Sequence, residues 1–308
     1  MTAPPLDLSA PVAAALAEGR PVVALESTII AHGLPRPRNL QAARDFEAIL
    51  SGADVVAATI AVLDGRLCVG LDDAQLERVA SDPDMAKLSV RDLPIVMARR
   101  GSGATTVAAT SYVAAMAGVR VFATGGLGGV HREASSTFDE SNDLPTLAST
   151  PITVVSAGVK SILDIGATLE RLETLGVTVV GYGTDAFPSF WVTDSGHRLD
   201  WSVPDAPAVA DVMAAQDALG RRSAVLVANP LPVDQQLDPA LHDRSLADAL
   251  AAAAAEGVTG KAVSPFLLDA MVGITDGRSL EVNLAIAANN VTVAGQIATA
   301  WSRLGAGA

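Results

Sequence analysis

Short runs of Val, Leu, Ile and Ala, each closing on glycine or a polar residue, recur along this chain and constrain its fold more than any other feature. Val22 to Leu25 ends in Glu26-Ser27-Thr28, and Val119 to Ala123 ends in Thr124-Gly125-Gly126. Ile152 to Val155 ends in Ser156-Ala157-Gly158, Val177 to Val180 in Gly181-Tyr182-Gly183-Thr184-Asp185, and Ala224 to Val227 in Ala228-Asn229-Pro230. Runs this short and this apolar read as strands buried on both faces. Helix-compatible stretches separate or follow them, over 40–51, 105–117, 162–175, 207–219, 245–256 and 279–304. The alternation predicts a three-layer α/β/α sandwich around a largely parallel or mixed sheet. Ligands of such sheets bind beyond the carboxyl ends of the strands. Glu26, Thr124, Lys160, Asp185 and Asn229 are therefore expected to converge.

The 308 residues are read as one domain, 1–308, with 1–20 a loosely attached start that carries a short Ala-rich helix. The Pro-, Trp- and Ser-rich stretch from Phe187 to Ala206 reads as an excursion within that domain. The 245–256 helix is expected to open on Ser245 with Asp248 as its capping-box partner and to stop at Gly257.

A net charge of −13 excludes a broad nucleic-acid or anionic-membrane surface, but not a local cationic pocket for a small phosphorylated ligand. The single cysteine, Cys68, rules out a disulfide framework within the chain and reads as a core residue. The Ala249 to Ala255 run is too short to span a bilayer, and the first residues lack the pattern of a signal peptide. The expectation is a cytoplasmic enzyme.

Of the 21 basic residues only three are lysine: Lys87, Lys160 and Lys261. Arginine stays protonated, whereas a lysine amine can lose its proton and become a nucleophile. A chain that otherwise writes arginine is expected to keep lysine where an amine is needed. Lys160, two residues past Gly158 at a strand exit, faces the expected ligand site. Lys87 suits either a phosphate or a surface ion pair.

Two glycine-rich segments stand out. Gly101-Ser102-Gly103-Ala104-Thr105-Thr106 precedes an apolar helix and could present bare amides to a phosphate, or be an ordinary turn. Thr124-Gly125-Gly126-Leu127-Gly128-Gly129-Val130-His131-Arg132 follows a strand directly, so its backbone must approach something closely; His131 and Arg132 add charge or hydrogen bonds. Neither has the sequence of a P-loop or a dinucleotide fingerprint. Phe138-Asp139-Glu140-Ser141-Asn142-Asp143 is oxygen-rich, as a hard divalent cation or a solvated turn requires. Glu26, just past a buried strand, suits a general acid with a raised pKa or a carboxylate at a helix start. His197 and His242 lie in polar stretches and read as surface residues.

Taken together these segments resemble the pseudouridine-5'-phosphate glycosidase family, also called indigoidine-synthase-A-like. The resemblance runs from about Pro21 to Ala300. It rests on Ala24-Leu25-Glu26-Ser27-Thr28-Ile29-Ile30, Ser89-Val90-Arg91-Asp92-Leu93-Pro94, Gly103-Ala104-Thr105-Thr106-Val107 and the Thr124 to Arg132 loop. It rests further on Thr137-Phe138-Asp139, the block from Ser156 to Asp164, Val227-Ala228-Asn229-Pro230 and Pro265-Phe266-Leu267-Leu268.

The resemblance implies reversible cleavage of the C–C glycosidic bond of pseudouridine 5'-phosphate to uracil and ribose 5-phosphate. It also implies one Mn²⁺ per subunit and a homotrimer. It makes Glu26 the proton donor, Lys160 the nucleophile and Asp139 the metal ligand. Lys87, Val107, Ser141, Asn142 and Asp143 become substrate contacts, and Asn283 lies near the base; Thr124 and His131 join them from the glycine-rich loop. The family more often has Ala where Asn142 stands and Asn where Ser102 stands, both expected at the pocket rim. Two other readings share some of these residues: a sugar-phosphate aldolase or other Schiff-base lyase, and a non-catalytic phosphosugar-binding module.

Overall fold

The computed structural model describes residues 6–258 and 263–306, so Lys261 lies outside the described residues. Among the described residues eleven strands form one sheet. They are β1 Leu6–Leu8, β2 Val22–Leu25, β3 Val56–Leu63, β4 Arg66–Val69, β5 Ala86–Leu88 and β6 Gly103–Thr105, then β7 Val121–Ala123, β8 Thr153–Ser156, β9 Thr178–Tyr182, β10 Ser202–Val203 and β11 Val225–Ala228. The order is β1-β4-β3-β2-β7-β8-β11-β9-β10, with β6 also on β3 and β5 on β6. All pairings are parallel except β3 with β4 and β3 with β6.

Every residue of β2, β7, β8 and β11 is buried, which is why these strands lack alternation in the sequence. Successive side chains feed opposite faces. Val23, Leu25, Val121, Val155 and Val227 pack with Phe46, Val209, Met213 and Ile297 from the helices Arg38–Ser51, Ala206–Ala218 and Arg278–Ala306. Val22, Ala24, Phe122, Val154 and Leu226 face Val113, Leu144, Leu147 and Leu172 from the helices Val107–Ala117, Asp143–Leu147 and Ile165–Thr174. The expected helix–sheet–helix layering is therefore present.

Three expectations are corrected. From Leu6 onward the N-terminal segment is not loosely attached: β1 pairs in parallel with β4, and the helix Ala10–Ala17 buries Val12 and Ala15 against the sheet. The 245–256 helix begins earlier, as Pro239–Ala255. Asp238 caps it by accepting the Leu241 amide at 2.8 Å, and Pro239 fits the first turn. Ser245 lies inside it, buried. His242 accordingly faces the core with 4 % of its surface exposed, whereas His197 is exposed as expected.

The β3–β4 hairpin, which apolar runs alone did not separate, turns on Asp64-Gly65. Both residues have positive φ, 50° and 78°, as a two-residue hairpin turn of the right twist requires. The Phe187 to Ala206 excursion buries Phe187, Phe190 and Trp191 and returns as β10 on the sheet edge. If the N-terminal helix is an integral part of the core, Val12→Asp should destabilise the fold by about 3 kcal/mol or more, because a carboxylate replaces a side chain with no exposure. Urea unfolding checks this, and an unchanged midpoint would return the segment to the status of an appendage.

Candidate active site

The strand order places three side chains from distant parts of the chain side by side. β2, β7 and β8 are neighbours, and the in-register pairs Leu25 with Ala123 and Ala123 with Val155 align their ends. The next residues outward start with Glu26 and Thr124, whose hydroxyl donates to the Glu26 carboxylate. Beneath them the buried Ser27 hydroxyl donates to the Ile60 carbonyl at 2.6 Å and accepts the Thr105 amide at 2.9 Å, which fixes the turn that carries Glu26.

Burial pushes the Glu26 pKa up; the nearby Lys160 ammonium and the Thr124 hydrogen bond oppose the shift. The carboxyl is thus held in its protonated form to higher pH than an ordinary glutamate, as a proton donor requires.

Lys160 stands in a turn between β8 and the helix Ile165–Thr174. That turn starts at Gly158, at φ 72°, where an added Cβ would lie 2.2 Å from the Pro188 carbonyl, so no other residue fits. The Lys160 amide then donates to Leu127 O at 3.1 Å, joining the turn to the glycine-rich loop.

Glu26, Thr28, Lys87, Lys160 and Ser264 line both of two adjoining lobes. The inner lobe is completed by Ile29, His32, Gly125, Gly126, Phe190 and Asn283, among others. Phe190, buried at a φ of 62°, closes its back: a Cβ on Gly126 would sit 2.6 Å from the Phe190 ring. Burial first, and then the Lys87 cation, lower the His32 pKa, so this imidazole tends to the neutral form. The outer lobe, ≈ 1460 Å³ up to open solvent, carries Val107, His131, Asp139, Ser141, Asn142 and Asp143. The structure therefore brings together the site residues read from the sequence, with Thr124 acting behind Glu26.

Several details differ from expectation. Asp185 does not join the cluster; it is exposed and pairs with Arg198 at 3.1 Å on the far side of β9. Asn229 is present but lies beneath the site. Its amide donates to Asn290, which in turn donates to the carbonyls of Thr124 at 2.7 Å and Gly125 at 3.2 Å. Gly101 and Ser102 do not face the cleft: Gly103 already belongs to β6, and Ser102 accepts from the Asp64 amide and from Arg78. Asn142, by contrast, is at the rim and accepts from the Ser89 hydroxyl at 2.7 Å.

Asp143 binds two backbone groups at once. Its oxygens accept the Ala108 amide, in the first turn of the helix Val107–Ala117, at 2.9 Å and the Gly128 amide at 2.8 Å. A Cβ on Gly128 would collide with Ser141 and Asp143, which explains the glycine.

Sequence reasoning missed Thr28, Thr106, Ser264 and Phe190. The hydroxyls of Thr28 and Thr106 are buried without a protein partner and line the cleft, so each offers a hydrogen bond to a ligand. Thr28 was findable, since it ends the strand-exit tripeptide that carries Glu26; Phe190 carries no local signal.

The raised Glu26 pKa has a consequence for stability. Folding binds that proton more tightly than the unfolded chain does, so the contribution is full below the ordinary carboxylate pKa and is lost as pH rises through the raised value. Glu26→Gln should therefore match the wild type in acid and exceed it in thermal stability at mildly alkaline pH. Melting curves across pH 4 to 9 test this; a variant less stable throughout would contradict it.

A family model described as indigoidine synthase A like protein matches residues 11–300. A pseudouridine-5'-phosphate glycosidase of Salinispora tropica is 63% identical over 290 residues, 94% of this chain and 90% of that protein. One of Frankia alni is 62% identical over 295 residues, 96% of this chain and 82% of that protein. Among solved structures, the prealnumycin C-glycosynthase AlnA in complex with ribulose 5-phosphate aligns with a TM-score of 0.91 at 39% identity, covering 98% of this chain and 99% of that one. An indigoidine synthase A-like protein from Thermotoga maritima aligns at 0.88 with 33% identity, covering 98% of each chain. On the family match alone, spanning nearly its whole length, the chain belongs to the indigoidine synthase A-like family.

Proposed function

We propose that this protein is an enzyme that reversibly cleaves pseudouridine 5'-phosphate and water to uracil and ribose 5-phosphate. The observation that carries the reading is the position of Glu26 and Lys160 at the junction of two chemically different lobes. The outer lobe, with Lys87 and His131, suits a phosphate. The inner lobe, with Asn283 among apolar walls, suits a flat base. The relatives from Salinispora tropica and Frankia alni bear the name of this activity.

The scissile bond joins two carbons, so protonating a glycosidic oxygen, as carboxylate-pair glycosidases do, is not open to this enzyme. In the proposed course Glu26 gives its proton to the ribose ring oxygen while the neutral Lys160 amine attacks C1', and the C1'–O bond breaks. The attacking nitrogen then gives a proton to the Glu26 carboxylate, and its freed lone pair forms the C1'=N bond and expels the base, whose C5 takes up that proton from Glu26. Water adds to the resulting iminium and releases ribose 5-phosphate and the free lysine. Thr124 orients the Glu26 carboxyl through its hydroxyl. The reverse course makes the C–C bond, in keeping with the C-glycosynthase name of AlnA.

The reading includes one Mn²⁺. Among the described residues no group of three His, Cys, Asp or Glu side chains gathers to hold a metal. The donor set still fits a hard cation held mainly by water and phosphate oxygens, with Asp139 as its carboxylate and the His131 ring 3.9 Å from that carboxylate. Such an ion would neutralise phosphate charge. Asp139→Ala should weaken Mn²⁺ binding at least about tenfold, measured by paramagnetic resonance of the free ion; equal binding removes the metal from this position.

The reading also includes a homotrimer, which light scattering tests, and a cytoplasmic location. Among the described residues no helix is long and apolar enough to cross a membrane.

The decisive experiment uses ribose 5-phosphate and borohydride, followed by peptide mass spectrometry: a ribosyl adduct is expected on the Lys160 peptide. Lys160→Arg should lose at least roughly 10³-fold in uracil release, followed by ultraviolet absorbance, since a guanidinium stays protonated. Wild-type-like turnover in that variant would sink the mechanism. An adduct without uracil release from pseudouridine 5'-phosphate would point instead to an aldolase or another Schiff-base lyase. Intact function in Lys160→Ala would point to a phosphosugar-binding module.

A further inference from the structure

The turn that carries Lys160 belongs to no helix or strand, yet an amine nucleophile needs placement within a fraction of an ångström. Besides the backbone bonds to the glycine-rich loop, two side chains brace this turn beside Lys160. Arg132, at the end of the glycine-rich loop, donates to the carbonyls of Ser161 at 2.9 Å and Ile162 at 3.2 Å. From the other side, the buried Ser161 hydroxyl lies 2.8 Å from His242 Nε2, and His242 Nδ1 lies 3.0 Å from the exposed Asp243 carboxylate. A carboxylate only accepts, so Nδ1 carries the proton and donates to Asp243. With the ring neutral, Nε2 is the acceptor and the Ser161 hydroxyl donates to it.

The chain has the composition of a catalytic triad without its exposure. Ser161 is 2 % exposed and lines neither lobe, so it is no nucleophile. His242 also packs beside Trp191, ring centroids 6.2 Å apart, and Trp191 meets Phe190 edge-on at 4.9 Å. One imidazole thus touches both the nucleophile turn and the segment that closes the inner lobe.

We infer that His242, through Ser161, is a positioning residue that sets the attack geometry of Lys160. The inference rests on the reading of Lys160 as the nucleophile. Four variants test it: His242→Leu, which removes the acceptor; His242→Gln, whose amide oxygen restores one; Ser161→Ala; and the double variant that combines His242→Leu with Ser161→Ala. For each, kcat, KM, the melting temperature and the single-turnover rate of borohydride-trapped adduct from ribose 5-phosphate are measured.

His242→Leu and Ser161→Ala are expected to lower kcat and the trapping rate together by roughly tenfold, with KM within about twofold. The double variant should be no worse than either single one, and His242→Gln should recover most of the rate. A purely structural role would lower the melting temperature of His242→Leu while leaving the folded enzyme's kcat and trapping rate unchanged, and that result overturns the inference. Additive losses, or a His242→Gln variant as slow as His242→Leu, overturn it as well. Absence of any adduct in the wild type would instead refute the Lys160 reading itself, so the two failures are distinct.

Discussion

The site depends on one constraint: a carboxyl and an amine must stand close together, with the carboxyl buried enough to favour its protonated form. In bulk water a glutamate loses its proton well below neutrality and a lysine keeps its own. Here burial favours the neutral form of Glu26, and the Thr124 hydroxyl orients it. The parallel β2-β7-β8 arrangement supplies the convergence, because three neighbouring strands point their ends at the same place. The antiparallel β3–β4 and β3–β6 pairings lie to one side of it and bring in β5, on which Lys87 stands. Ordinary sheet topology thus assembles an acid, an amine and a cation from residues 26, 160 and 87.

Close backbone approach is the second requirement, and the glycines meet it at particular points. Gly128 makes room for Ser141 and Asp143, Gly126 for the Phe190 ring, and Gly158 for the Pro188 carbonyl. The Asn229–Asn290 amide pair then ties the start of the loop to the long C-terminal helix, satisfying carbonyls that the loop leaves inside the protein. Phe190 holds a backbone conformation that costs a bulky residue energy, and the surrounding contacts impose it.

The sequence made the layering legible because continuous apolar runs are what a doubly covered parallel sheet demands. Glu26 and Thr124 were legible for the same reason, since they directly follow such runs, and Lys160 was legible as a rare lysine two residues past the strand-exit Gly158. Asp185 follows one too, yet β9 lies beyond β11, too far along the sheet to contribute. His242 was misread because polar neighbours suggest a surface; the helix start at Asp238 rotates it inward, and that start competes locally with Ser245. Strand β1 was missed because three residues cannot show periodicity, and its pairing with β4 is a long-range contact. Thr28 could be placed from its strand exit, but that the hydroxyls of Thr28 and Thr106 lack protein partners becomes visible only once burial is known.

The carboxylate of Asp143 occupies the place where a helix start usually receives an anion from outside. The chain has filled that socket with a charge of its own. A phosphate in the outer lobe therefore arrives beside a resident negative charge and gains little from the helix dipole. Whatever attraction an anion finds there comes instead from cationic side chains on the cleft wall, Lys87 and Arg91 among them.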